Sequence, residues 1–190
     1  NIISRAPDGT PRLVMGALSP ASPGADAVTV AERYLAQLRG SSPDWVPSEL
    51  SSPESIPIGT GFIVRYHQRH FGLPVWGSEL VLRISTEGQV ERLFRDVVPA
   101  SALAKIAPVP TISPQEAQRA VRALGPGQVG EPVLIVDNQN QRLAYLVSRI
   151  ELSQLEHGDY LVDAHSGQLI RRIERLNFLN QFGVYRYNPG

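Results

Sequence analysis

Four histidines and a scatter of carboxylates are the residues that could do chemistry in this chain, and their spacing argues against most of it. The imidazoles are His67, His70, His157 and His165. Zinc hydrolysis calls for His-Glu-x-x-His on a helix, which sets two imidazoles on one face with the glutamate as base; no such string occurs. His67 and His70 stand three apart in an alternating, strand-like stretch. An odd spacing along a strand sends side chains to opposite faces, so the two read as strand and turn residues. Glu79, Glu87, Glu91, Asp96, Glu151, Asp159 and Asp163 form no pair placed for acid–base work, and a solvated sheet surface accounts for them. There is no Gly-x-Ser-x-Gly elbow, and Gly125-Pro126-Gly127 has proline inside it and no lysine after it, unlike a phosphate-cradling loop. The lack of cysteine removes thiol catalysis, thiolate metal sites and disulfides. No catalytic residue, metal ligand or cofactor is expected.

Charge narrows the partners. The 18 basic and 18 acidic residues balance, so the chain lacks the basic face that phosphate neutralisation needs and the usual attraction to an anionic membrane. No apolar run reaches the roughly 18 residues of a membrane span. Hydrophobic residues make up 42% but aromatics only 7%, so the core should rest on Val, Leu and Ile.

The elements that would position these residues follow from periodicity and turn chemistry. Residues 12–18 (RLVMGAL) read as a first strand. Thr29 with Glu32 three residues on has capping-box spacing, and Val30, Tyr34, Leu35 and Leu38 share a helical face that ends near Gly40. Residues 41–60, rich in Ser and Pro, are read as turns or a short helix. Phe62, Val64, Tyr66 and Gln68 then alternate with Arg65, His67 and Arg69, and Leu80, Leu82 and Ile84 give the next strand its inner face. Thr86-Glu87-Gly88 closes a hairpin to a return strand over 89–98. Residues 99–110 read as an extended, proline-stiffened linker. Ser113, Pro114 and Glu116 start a second helix with Ala117, Ala120, Val121 and Leu124 as its buried stripe, stopped by Gly125-Pro126. Strands at 132–136, 142–150, 160–163 and 169–173 complete a second meander. Helix followed by antiparallel meander, twice over, makes an α+β protein. Gly72 and Gly77 mark positive φ or close backbone approach, and Trp76 is either a core filler or an interface anchor.

Two stretches carry a family resemblance. The run VRYHQRHFGLPVWGSELVLRI (64–84) holds an aromatic-x-Gln pattern, Tyr66 and Gln68, ahead of a Gly-x-Pro-Val-x-Gly corner at Gly72, Pro74, Val75 and Gly77. Downstream, GDYLVDAHSGQLIRRI (158–173) contains Val162, Asp163, Ala164 and Gly167 in a Val-Asp-Ala-x-x-Gly pattern. In that order they resemble the fungalysin/thermolysin propeptide (FTP) motif followed by a PepSY module, the pro-region of secreted zinc metalloproteases. The resemblance implies two cystatin-like helix-on-antiparallel-sheet modules in tandem: an FTP-like module over 1–100, a linker over 101–112, a PepSY-like module over 113–174 and a C-terminal tail over 175–190. It implies a non-catalytic chain, secreted or periplasmic, that folds and silences a cognate zinc metalloprotease catalytic domain. The segment Phe182–Pro189 is similar to the junction between such pro-regions and their enzymes. Asn177, Phe178, Leu179, Asn180, Gln181, Phe182, Gly183, Val184 and Tyr185 are then the residues expected to run into the active-site cleft. The first strand lies close to Asn1, short of the family's upstream segment, and both ends of the chain read as cut. The alternatives are a free-standing secreted binding or inhibitory module and a hydrolase with an unrecognised site.

Overall fold

A computed structural model describes residues 1–6, 9–151 and 156–175. It is an α+β protein rich in antiparallel strands, and the chain divides into two compact units, Asn1–Pro110 with Leu134–Ala144, and Thr111–Val133 with Tyr145–Gly190.

The first unit is a helix on a meander. Its elements are β1 (Ile2–Arg5), β2 (Pro11–Met15), α1 (Ala27–Ser41), a 3-10 turn at Pro43–Trp45, β3 (Glu54–Ile58), β4 (Gly61–His70), β5 (Leu73–Ser85), β6 (Val90–Asp96) and a helical turn α2 (Ala100–Leu103). The antiparallel pairs β1·β2, β2·β6, β6·β5, β5·β4 and β4·β3 give the spatial order. Alternation along β4 and β5 turns Val64, Tyr66, Leu80, Leu82 and Ile84 inward, where they meet Val30, Ala31, Leu35 and Leu38 of α1. Phe62, on the same alternation, stays 37% exposed at the end of the strand. Two helix expectations are corrected. The N-cap of α1 is Asp26, whose carboxylate accepts the Thr29 N–H at 3.0 Å, so the helix begins one turn before Thr29. Gly40 lies inside the last turn rather than ending it. The Ser/Pro-rich stretch also supplies the edge strand β3, and Ala100–Leu103 coils where an extended linker was expected.

Arg95 ties the far ends of this unit together. It is 5% exposed and donates to three main-chain carbonyls, those of Trp45 (2.8 Å), Pro11 (2.7 Å) and Asp44 (3.2 Å). Its guanidinium also sits 5.9 Å from the centre of the Trp45 ring, within cation–π range. A buried charge is tolerated when its donors are taken up in this way.

The second unit contains α3 (Pro114–Arg122) and β7 (Gln128–Val129). β8 (Val133–Asp137) and β9 (Arg142–Glu151) follow in the chain and then β10 (Glu156–Asp163) and β11 (Leu169–Arg175), of which all but Leu134–Ala144 belongs to this unit. The capping box at Ser113 forms as read: Ser113 Oγ accepts the Glu116 N–H and the Glu116 carboxylate accepts the Ser113 N–H. Ala117 and Val121 are fully buried, whereas Leu124, past the helix end, is 47% exposed and leaves the stripe. β10 and β11 pair antiparallel, and Val147, Leu161, Val162 and Ala164 are fully buried.

Two glycines separate backbone strain from side-chain room. Gly61 has φ +137, and a Cβ there would lie 2.0 Å from the Ile84 carbonyl oxygen, a backbone atom that cannot step aside. Gly40 is helical with open space around it. Gly61→Ala is therefore expected to lose at least about 3 kcal/mol, and Gly40→Ala to gain roughly 0.5–1 kcal/mol, both read from urea unfolding monitored by circular dichroism.

Candidate functional site

The β4–β5 hairpin collects most of the motif residues, and its geometry explains their types. His70 pairs with Leu73, leaving Phe71 and Gly72 as a two-residue loop with φ of +49 and +74. Two successive positive φ values are the mark of a type I′ turn. Glu49 holds it from outside: one carboxylate oxygen accepts the Phe71 N–H at 3.1 Å and the other the Gly72 N–H at 2.9 Å. Arg69 Nη1 donates to the Gly72 carbonyl at 2.7 Å.

Beyond the turn the two strands lose register. Arg69 pairs with Pro74, but the next regular pair is His67 with Glu79, so residues 75–78 face Gln68 alone. Gly77 takes φ +76 within this bulge, a left-handed conformation that favours glycine. The bulge lets Val75 and Trp76 pair instead with Val136 and Asp137 of β8, in parallel. A bulged strand leaves backbone groups on its partner without a ladder, and here a side chain substitutes. Gln68, 2% exposed, donates from Nε2 to the Val98 carbonyl and accepts the Val98 N–H at Oε1, each at 2.8 Å. Val75 is buried and Trp76 half-buried.

Tyr66 lies two residues before Gln68 on the same inward face and is 4% exposed. Its hydroxyl is buried with no hydrogen-bond partner among the described residues, at the edge of a groove lined by Glu32, Leu35, Arg39, Leu50 and Pro53. Burial pushes the phenol up to about 12, with the Glu32 carboxylate adding to the rise and the Arg39 guanidinium opposing it.

In the second unit the Val-Asp-Ala-x-x-Gly pattern is a self-bonded turn. Asp163 Oδ1 accepts the N–H of His165 (2.9 Å), the N–H of Ser166 (2.8 Å) and the Ser166 hydroxyl (3.1 Å). The Gly167 N–H, at φ +73, returns to the Asp163 carbonyl. The buried Ala164 offers its carbonyl to the N–H groups of Thr111 and Ile112. Val162 is fully buried in β10. His165 Nδ1 lies 3.0 Å from the Thr111 hydroxyl. The junction residues Asn177 to Tyr185 lie outside the described residues.

The carboxylates are committed elsewhere. Glu79 pairs with Arg65 at 3.2 Å, Glu91 with Arg83 at 3.0 Å and Asp96 with Arg12 at 2.8 Å. Among the described residues no three His, Asp or Glu side chains gather as they would around a metal ion. Sequence reasoning missed Glu49 and Arg95; it read Phe71-Gly72 as a tight corner but assigned the Phe71 ring no role. The signal for Phe71 was present, since a Phe-Gly pair stands where this turn type favours Asn-Gly.

The Tyr66 phenol gives a pH test. The unfolded chain releases this proton near the ordinary value of 10.0 and the folded chain only near 12. Above pH 10 the folded state therefore binds more protons than the unfolded state, and stability falls as pH rises through that window. Tyr66→Phe should flatten the loss between pH 10 and 12 while leaving pH 6–9 behaviour close to wild type, as read from urea midpoints along the series.

Residues 60–97, about a fifth of the chain, match the family described as Fungalysin/Thermolysin Propeptide Motif. No curated protein matches. Among solved structures, the chain is similar to the Bacillus megaterium YpeB C-terminal domain, with 13% identity and a TM-score of 0.40, over 89% of this chain and 74% of that one. It is also similar to a candidate lipoprotein of Clostridium difficile 630, with 14% identity and a TM-score of 0.35, over 76% and 92%. Neither likeness is close enough to carry an argument. The matched segment runs from the β4 glycine through β5 and β6, taking in Tyr66, Gln68 and the whole Gly72–Gly77 corner, and so the chain carries the propeptide motif of fungalysin- and thermolysin-like proteases.

Proposed function

We propose that this chain is the non-catalytic pro-region of a secreted or periplasmic zinc metalloprotease, serving as intramolecular chaperone and as inhibitor of the cognate catalytic domain. The observation that carries the proposal is the propeptide motif over residues 60–97. Its buried members, Tyr66, Gln68 and Val75, support a hairpin held by side-chain-to-backbone bonds. A preformed surface of this kind loses little conformational entropy on docking.

The mechanism needs only modest affinity. A covalently attached pro-region presents itself at an effective concentration on the order of millimolar. Against a dissociation constant of about 1 μM that is a thousandfold excess, which stabilises the bound, folded enzyme by roughly 4 kcal/mol. The same linkage that keeps the enzyme covered favours its folding, so chaperoning and inhibition are one free energy. After cleavage the two parts dilute and separate. The FTP-like, linker and PepSY-like segments at 1–100, 101–112 and 113–174 divide the labour in this proposal. The segment Asn177 to Tyr185 enters the catalytic cleft as an extended peptide.

Mixing the purified chain with its mature metalloprotease tests both roles. Inhibition of peptide cleavage at micromolar chain, and a higher yield when the denatured enzyme is refolded in its presence, are expected. An enzyme that keeps full activity and refolds no better with the chain than without it would end the proposal.

A further inference from the structure

Phe71 is out of place by every local criterion. A bulky residue at positive φ is disfavoured because its Cβ crowds the backbone, yet Phe71 sits at φ +49 in a turn where asparagine would rest without strain. Its ring is not used by the core: the residue is 62% exposed, and the ring contact it makes is with the neighbouring His70, at 4.4 Å between centroids. The turn is nonetheless held firmly. Glu49 gives both of its carboxylate oxygens to the Phe71 and Gly72 N–H groups, and Arg69 closes on the Gly72 carbonyl. Three hydrogen bonds from two side chains thus fix the backbone that carries an aromatic ring into solvent at the tip of the β4–β5 hairpin. Strain maintained by dedicated bonds, with no return inside the fold, points to a use outside it.

From this we infer that Phe71 is the anchor by which the first unit grips the protease, its ring entering an apolar pocket on the catalytic domain wide enough for one phenyl group. The inference rests on the pro-region proposal above and adds the contact that does the gripping. The tip lies inside the segment that matches the propeptide motif, so the anchor is continuous with the part of the chain that motif describes. An exposed aromatic on a backbone held in place is the kind of residue that dominates an interface, because little backbone freedom remains to be lost when the ring is buried.

The test compares wild type with Phe71→Asn and Phe71→Trp, each measured for thermal stability and for inhibition of its own mature metalloprotease. Phe71→Asn keeps the turn and removes the ring. Its Tm should rise by about 2–4 °C as strain is relieved, while its inhibition constant weakens by about 30-fold or more. Phe71→Trp, which keeps an aromatic ring, should stay within about tenfold of wild type. An Asn variant that inhibits within about threefold of wild type overturns the anchor and leaves the pro-region proposal standing. Failure of the wild-type chain itself to bind or inhibit removes both. Sedimentation of the free chain covers a different occupant: a wild-type dimer that Phe71→Asn dissolves would assign the ring to a second copy and overturn the inference.

Discussion

The Gln68 side chain, closed in both directions on the Val98 backbone, is the interaction on which the first unit depends. At this point β5 bulges away from β4, and the regular ladder stops. A buried main-chain N–H and C=O left open would each cost about 1–3 kcal/mol. An amide is the one neutral side chain that offers a donor and an acceptor at the spacing a peptide group presents. Gln68 therefore stands in for a strand, and the Gly72–Gly77 corner can bend without leaving the core unsatisfied. The bend in turn permits the parallel pairing of Val75 and Trp76 with β8.

The same economy recurs wherever pairing ends. Arg95 covers three carbonyls, Glu49 two turn N–H groups, Asp163 two more, and Glu116 the Ser113 N–H. Other carboxylates sit in cross-strand arginine pairs, worth little individually in solvent. Glu49, Asp163 and Glu116 thus hold backbone, while Glu79, Glu91 and Asp96 are taken up by arginines.

How much of this could be read in the sequence depended on distance along the chain. The Ser113–Glu116 box was legible because both partners lie within one helical turn. The inward faces of β4 and β5 were legible because alternation is local. The cap of α1 was misplaced for a related reason: Asp26 and Thr29 both fit the rule, and the choice between them depends on where Ala27 and Val30 find the core. The motif residues were found by resemblance, but their partners were not. Val98 is 30 residues from Gln68, Pro11 is 84 from Arg95, and Phe71 is 22 from Glu49. Nothing in composition or period encodes such pairs; the tertiary fold selects them.

The sheet edges of the first unit bear on how a partner can be met. β3 carries Pro57, which cannot donate to a ladder, and Glu54, whose charge resists pairing. β1 is four residues long and its register against β2 breaks twice, so it offers no regular row of backbone groups. Strand addition at either edge of the first unit is thus disfavoured. Several large apolar side chains of the first unit are exposed, Val109 and Ile3 among them, but at the hairpin tip Phe71 is exposed against the intrinsic preference of the backbone. That placement costs the chain stability and fits a ring used in contact with another surface.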